Sequence, residues 1–381
     1  MLSPDGRRGG VLASQQILEL IEAGMVDGGA GGVPEENIQP ASLDLRLDDV
    51  AYRIRCSFLP GSSRVEDKLD GYLVDVLSIS GRGAVLETNR PYLIPLKERL
   101  RLPAWMRAKA NPKSSTGRLD VFTRLVTDSS YYFDLVDEGY SGPLYLEVVP
   151  LSFPIRVAEG LCLNQIRFAF GDSRLSPAEL RELHEVSPLV FRDGEPVPAK
   201  EAFGEEGLLL SLDLARAEHV GYRAKESAPL LDMTAKAPLE PRPYWEEVRS
   251  DPDARLVLIP ERFYLLMSRE AVRIPPQLAA EMTAYDPASG ELRTHYAGFF
   301  DPGFGFDVEG RVQGAKAALE VRAHDVPFEV SHGQTVSRLF FERMDEEPIV
   351  PYGAKAGSSY QGQNEALGKH FLALASDRHA S

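Results

Sequence analysis

Cysteine is almost missing from this chain: Cys56 and Cys162 are the only two in 381 residues. So low a number excludes a disulfide-built scaffold, and each thiol, set among strand-like apolar neighbours, reads as buried and inert. Long hydrophobic runs are missing as well. The longest are strand-sized, far short of the roughly 20 residues that a membrane helix requires. The first residues lack the basic-then-apolar pattern of a secretory leader. The expectation is a cytoplasmic protein without a membrane partner. Positive charge is in deficit, with 42 Lys and Arg against 57 Asp and Glu and a formal net charge of −15. Such a surface repels a phosphate backbone, which argues against a nucleic-acid partner. Any phosphate must then be gripped locally.

What is present is enough apolar material, 43% of residues, for two ordinary domains. Residues 1–12 are Gly- and Arg-rich. Ser14 reads as the cap of a helix carrying Ile17, Leu18, Leu20 and Ile21 and ending near Gly24. After Pro34 the pattern becomes short alternating runs broken by Gly and Pro: 42–47, 72–77, 84–87, 92–95, 108–110, 121–126, 144–149 and 166–170. Brief strands at near-regular intervals predict an all-β barrel or jelly roll with minor helices.

The chain also repeats itself. Ser42-Leu-Asp-Leu45 returns as Ser211-Leu-Asp-Leu214, an offset of 211 − 42 = 169. Arg101-Leu-Pro103 returns as Arg273-Ile-Pro275 at 172, and Leu146-Glu-Val148 as Leu319-Glu-Val321 at 173. An offset this steady predicts two tandem β-domains: repeat one over 1–175, a helical connector over 176–204, repeat two over 205–345, and a C-terminal arm over 346–381. Within the connector, Ser176 starts a helix with Leu180, Leu183 and Val186 on one face. The arm joins a Gly/Ser-rich segment to a closing helix from Asn364 to about Ser376.

Two stretches carry chemistry. Lys113-Ser-Ser-Thr-Gly-Arg118 offers two adjacent hydroxyls, an ammonium and a planar guanidinium fork, donors suited to phosphate oxygens. In the alternating run from Leu144, Glu147 shares a face with Tyr145 and Val149. A carboxyl covered by such neighbours loses solvation, and its proton affinity rises toward neutrality.

These stretches, with the turn Asp137-x-Gly-Tyr140, resemble in order three motifs of the dCTP deaminase branch of the trimeric dUTPase-like superfamily. Ile38-Gln-Pro-Ala-Ser-Leu-Asp-Leu-Arg-Leu47 resembles a fourth, and Tyr352-x-x-Lys355 with Tyr360-Gln-Gly-Gln363 a fifth. The resemblance spans most of the chain and points to the tandem-duplicated bacterial form. It implies two dUTPase-like β-barrel domains in a homo-oligomer, a trimer being favoured, with sites between subunits. It implies hydrolytic deamination of dCTP to dUTP and ammonia, a hydrolase reaction on a cyclic amidine C–N bond. It implies Glu147 as the general base and acid, Ser114 orienting the attacking water, and Arg118 stabilising the base site. Lys113 and Ser115 would hold phosphates, Asp137 would line the substrate site, and Tyr352, Lys355, Tyr360 and Gln363 would fold over bound nucleotide. Mg²⁺ would arrive with the triphosphate. No protein-held metal, zinc included, is expected, because His-x-Glu with Pro-Cys-x-x-Cys is missing and the seven histidines form no ligand-spaced pair.

Repeat two departs from the pattern. Tyr296-Ala-Gly-Phe-Phe-Asp-Pro-Gly-Phe304 matches the family's turn better than repeat one does, yet Thr283-Ala-Tyr-Asp-Pro287 stands where the grip was. Arg322 replaces Val149 beside the acid and is expected to hold Glu320 ionised. Repeat two therefore reads as a degenerate structural copy. The alternative is one composite site, with the grip from repeat one and Glu320 as the base. Three other functions stay open: a dUTP diphosphatase or bifunctional enzyme resting on Asp137, a non-catalytic nucleotide-binding regulator, and a purely structural β-protein.

Overall fold

The computed structural model describes residues 6, 8–205, 207–216, 219–284, 292–294, 298–306, 314–323, 325–354 and 366–372. Apolar alternation dictates strands nearly throughout. In repeat one, the strand Cys162–Gly171 pairs with Gly9–Val11, Leu43–Arg46 and Met106–Pro112 in one sheet. A second sheet runs Leu73–Ser78, Val50–Ile54, Tyr92–Arg101, Ser141–Pro150, Val121–Thr127. Side chains from both sheets, among them Leu45, Ile94, Leu146, Ile166 and Phe168, fill the core at zero exposure, because period-2 patterning puts each strand's apolar set on one face.

Repeat two is built on the same plan, and its pairing register shows it. Glu147 faces Leu93 and Glu320 faces Leu265, shifts of 320 − 147 = 173 and 265 − 93 = 172. Phe168 faces Ala108 and Phe341 faces Ala280, again 341 − 168 = 173 and 280 − 108 = 172. Two residue pairs preserved in hydrogen-bonded register are a stronger sign of duplication than matching letters.

The repeats are not beads on a string. Ile155–Val157 pairs in parallel with Leu231–Asp232, and the core of repeat one takes in Tyr222, Trp245, Phe263, Leu265 and Met267 of repeat two. Removing that much apolar surface from water fixes one repeat against the other. Among the described residues no helix is long and apolar enough to cross a membrane.

Several local expectations change. The first helix is Ser14–Glu22, with Ala13 rather than Ser14 in the cap position; the Gln16 side-chain oxygen accepts from Ala13 N at 2.9 Å. The connector helix is Pro177–Val186, and the Ser176 hydroxyl accepts from Glu179 N at 3.3 Å. Val186 is exposed, and His184 takes the inner face with Leu180. Its Nε2 lies 2.7 Å from Val197 O, and its Nδ1 accepts from Leu189 N at 3.1 Å. Cys56 is exposed rather than buried, Cys162 is half-buried, and neither forms a disulfide.

The described part of the expected closing helix, 366–372, is not helical. Backbone bonds win instead: Leu239 N donates to His370 O at 2.7 Å and Leu372 N to Leu239 O at 2.9 Å. Phe371 then packs against Tyr244 and Trp245, ring centroids 5.4 and 6.0 Å away. Substituting Phe371 by Ala leaves a cavity there and should cost about 3–5 kcal/mol. Urea unfolding followed by tryptophan fluorescence reads the loss.

Candidate active site

The grip begins where Pro112 ends a strand. Thr116 N and Gly117 N donate to Lys113 O at 2.8 and 3.0 Å, and Arg118 N to Ser114 O at 3.1 Å, closing one helical turn, Ser114–Gly117. That turn buries Thr116 and Arg118 while leaving Lys113 and Ser114 half-covered. Beside it stands Asp44, from the Ser42-Leu-Asp-Leu45 strand, ion-paired with Lys113 and accepting from the Gln39 amide at 3.2 Å. Burial pushes the Asp44 carboxyl up, and the Lys113 charge works against that shift. Gln165 lies on the neighbouring strand, its amide oxygen 3.1 Å from the Ser42 hydroxyl.

The other wall comes from repeat two. Glu320, on the strand Ala315–Ala323, faces the grip and is buried. Its carboxylate rests on Gly117, where an added Cβ would stand 2.7 and 2.8 Å from the two carboxylate oxygens. Only a glycine allows that approach. Burial pushes the Glu320 carboxyl up to about 8, with the Arg118 charge opposing and the Asp120 charge reinforcing. Phe299, Phe300, Asp301 and Phe304 follow from the repeat-two turn, and Tyr352 stands 5.8 Å from Phe304, ring to ring. Gly303 is held at φ 100° and lies so close to Tyr352 N and O that a Cβ would clash at 2.7 and 2.6 Å.

Together these residues enclose a cavity of about 290 Å³, near the lower end of small-molecule sites. Lys113, Ser115 and Lys369 also line an adjoining cavity of about 340 Å³ that includes Lys236 and His370. Burial and the nearby Lys113 charge hold the Lys369 ammonium below its usual range. Lys113 and Lys369 thus bring two ammonium groups to one end of the cavity, beside Asp44. Behind the turn, Arg167 of repeat one, buried and stacked 4.0 Å from the Phe299 ring, donates to Ala280 O at 3.2 Å and Phe300 O at 3.4 Å. It also lies 3.6 Å from Asp301, whose carboxyl burial pushes up.

The residues read from sequence thus divide. Lys113, Ser114, Ser115, Arg118, Tyr352 and the alternative acid Glu320 come together. Glu147 does not join them: it is buried on the equivalent strand of its own repeat, opposite Arg124. Arg124 Nη2 and Nε lie 2.5 and 3.1 Å from a Glu147 oxygen, and the guanidinium stacks 3.7 Å from the Phe133 ring. Asp137 is exposed and outside the cavity, its place taken by Asp301. Arg322, expected to hold Glu320 ionised, pairs with Asp120 instead. Lys355, Tyr360 and Gln363 lie outside the described residues. Repeat two is therefore more than a structural copy, since it furnishes one wall of the cavity. Asp44, Gln165, Asp301 and Lys369 escaped individual assignment. Asp44 and Asp301 lay inside stretches already marked as motifs, whereas Lys369 carries no local signal.

Comparison with known proteins agrees across the chain. Residues 8–172 match the model of the 2'-deoxycytidine 5'-triphosphate deaminase N-terminal domain, and residues 176–371 that of its C-terminal domain. The dCTP deaminase of Natronomonas pharaonis is 31% identical over 38% of this chain and 71% of that protein. A protein of Corynebacterium glutamicum named "dCTP deaminase, dUMP-forming" is 30% identical over 41% of this chain and 78% of its own length. The crystal structure of 2'-deoxycytidine 5'-triphosphate deaminase from Agrobacterium tumefaciens superposes with a TM-score of 0.83 at 46% identity, covering 90% of this chain and 97% of that one. With one domain model on each repeat and a solved relative along nearly the whole length, the chain belongs to the dCTP deaminase family.

Proposed function

We propose that this enzyme deaminates dCTP to dUTP and ammonia in a composite site, with Glu320 of repeat two as its general acid and base. The observation that carries the reading is the seat of the Glu320 carboxylate on Gly117, inside the grip that also bears Ser114 and Arg118. A carboxyl pushed up to about 8 by burial holds a proton at neutral pH and can still give it up. Glu320 donates that proton to N3 of cytosine as water, oriented by Ser114, adds to C4. The carboxylate takes one proton from the added water and passes it to the 4-amino group. The C4–N bond breaks, ammonia leaves, and the remaining hydroxyl proton returns to Glu320 as the C4 carbonyl forms. One water is consumed and the glutamate ends as it began. Arg118 steadies the base site.

The substrate in this reading is Mg²⁺–dCTP, its polyphosphate meeting Lys113, Ser115 and Lys369, with Tyr352 and the arm residues Lys355, Tyr360 and Gln363 closing over the nucleotide. Phe299, Phe300 and Phe304 offer apolar surface to the sugar and base. The assembly is read as a homotrimer, which sedimentation checks. A bifunctional reading, with dUMP and pyrophosphate as products, is favoured by the relative named as dUMP-forming. Against it, Asp137 is exposed, and burial of Asp301 disfavours the ionised form that would activate a second water. Assays of ammonia and pyrophosphate from dCTP separate the two readings.

Four predictions follow from the site. Glu320→Gln removes proton transfer and should cut kcat by about 100-fold or more while dCTP still raises the melting temperature. Glu147→Gln should retain turnover; the reverse pattern returns the base to repeat one. Because the raised Glu320 affinity stabilises the fold fully below the unfolded glutamate range and is lost as pH climbs through about 8, Glu320→Gln should gain melting temperature over its parent between pH 5 and pH 8. Gly117→Ala pushes a methyl into the carboxylate and should cut kcat by about 100-fold with the fold intact by circular dichroism.

A further inference from the structure

Arg322 lies two residues beyond Glu320 on the same strand, so the two side chains leave the same face. A guanidinium so placed would be expected to seize the carboxylate. Instead one end of it pairs with Asp120 of repeat one, and its other nitrogen donates to Glu261 O at 2.5 Å. Asp120 is fully buried and sits at φ 57°, where a side-chain-bearing residue is uncommon. It closes the same loop that seats Glu320, donating from its backbone N to Gly117 O at 2.9 Å, and its carboxylate accepts from the Ser152 hydroxyl at 2.6 Å.

We infer that Asp120 is a positioning residue for the reaction: by binding Arg322 across the repeat boundary, it keeps that cation off Glu320, so that the Glu320 carboxyl retains its working proton. Among the described residues, Arg118 and Asp120 of the grip loop act on the Glu320 carboxyl, Asp44, Lys113, Asp301 and Lys369 line the same cavity, Arg322 shares its strand face, and apolar Leu265 lies across the sheet. With Asp120 neutral, the anion that offsets Arg118 and diverts Arg322 is gone. The arrangement rests on the reading of Glu320 as the base.

The test uses the full chain and dCTP, with kcat and KM measured against pH for Asp120→Asn, Arg322→Gln with Asp120→Asn, and Glu320→Gln. Asp120→Asn should lose about tenfold in kcat near pH 8 and move the alkaline limb of kcat down by about one pH unit, with KM changed by less than about threefold. The double variant, which has no cation to divert, should return the limb to the parental position and recover most of kcat. It also leaves no buried ion unpaired, so it reports even if Asp120→Asn fails to fold. An unmoved limb in the single variant, or a double variant as impaired as the single, overturns the inference. An active Glu320→Gln enzyme overturns the underlying assignment of the base and is distinguishable from either.

Discussion

The contact between Glu320 and Gly117 is the constraint on which the site depends. It joins a strand of one repeat to a turn of the other, and neither repeat could make it alone. For a carboxylate to rest on a backbone, the partner must lack a Cβ, the two sheets must be locked in one relative position, and water must be kept out. The shared core, in which Trp245, Phe263 and Leu265 pack into the first repeat, meets the second requirement. Burial of Glu320 itself meets the third, and it raises the proton affinity of that carboxyl at the same time. Packing and acid–base chemistry thus have a single cause.

Two glutamates occupy equivalent positions with opposite neighbours. Glu147 meets an arginine directly across its own sheet, stacked on Phe133 and also donating to Ser57. Glu320 has its arginine drawn off to Asp120. Residue identity along the strand suggested the reverse, because Val149 flanks Glu147 and Arg322 flanks Glu320. The deciding partners lie elsewhere: Arg124 comes from a strand more than twenty residues away, and Asp120 from the other repeat. Flanking residues report only the strand's own face, and in a sheet the cross-strand neighbour is closer than the i+2 neighbour.

This explains what could be read from the chain alone. Period-2 alternation carried the strands, and the constant offset carried the duplication, because both are local or strictly periodic signals. The grip was legible because its donors are contiguous. Which glutamate stands beside the grip was not, since that depends on which surfaces of two similar domains meet. Lys369 was hidden for the same reason, brought to Lys113 by a terminal segment whose bridge to Leu239 overrides its helical appearance.

Duplication gives such a fold a freedom that identical subunits lack. A single repeat whose copies built such a site between them would have to keep both grip and acid. Once two copies are fused, the grip of one and the acid of the other suffice for a composite site, and the remaining two halves are released. The chain bears both consequences: Thr283-Ala-Tyr-Asp-Pro287 no longer offers paired hydroxyls and a guanidinium, and Glu147 is engaged by Arg124. The losses are complementary, which fits the proposed composite site better than independent decay of one whole repeat.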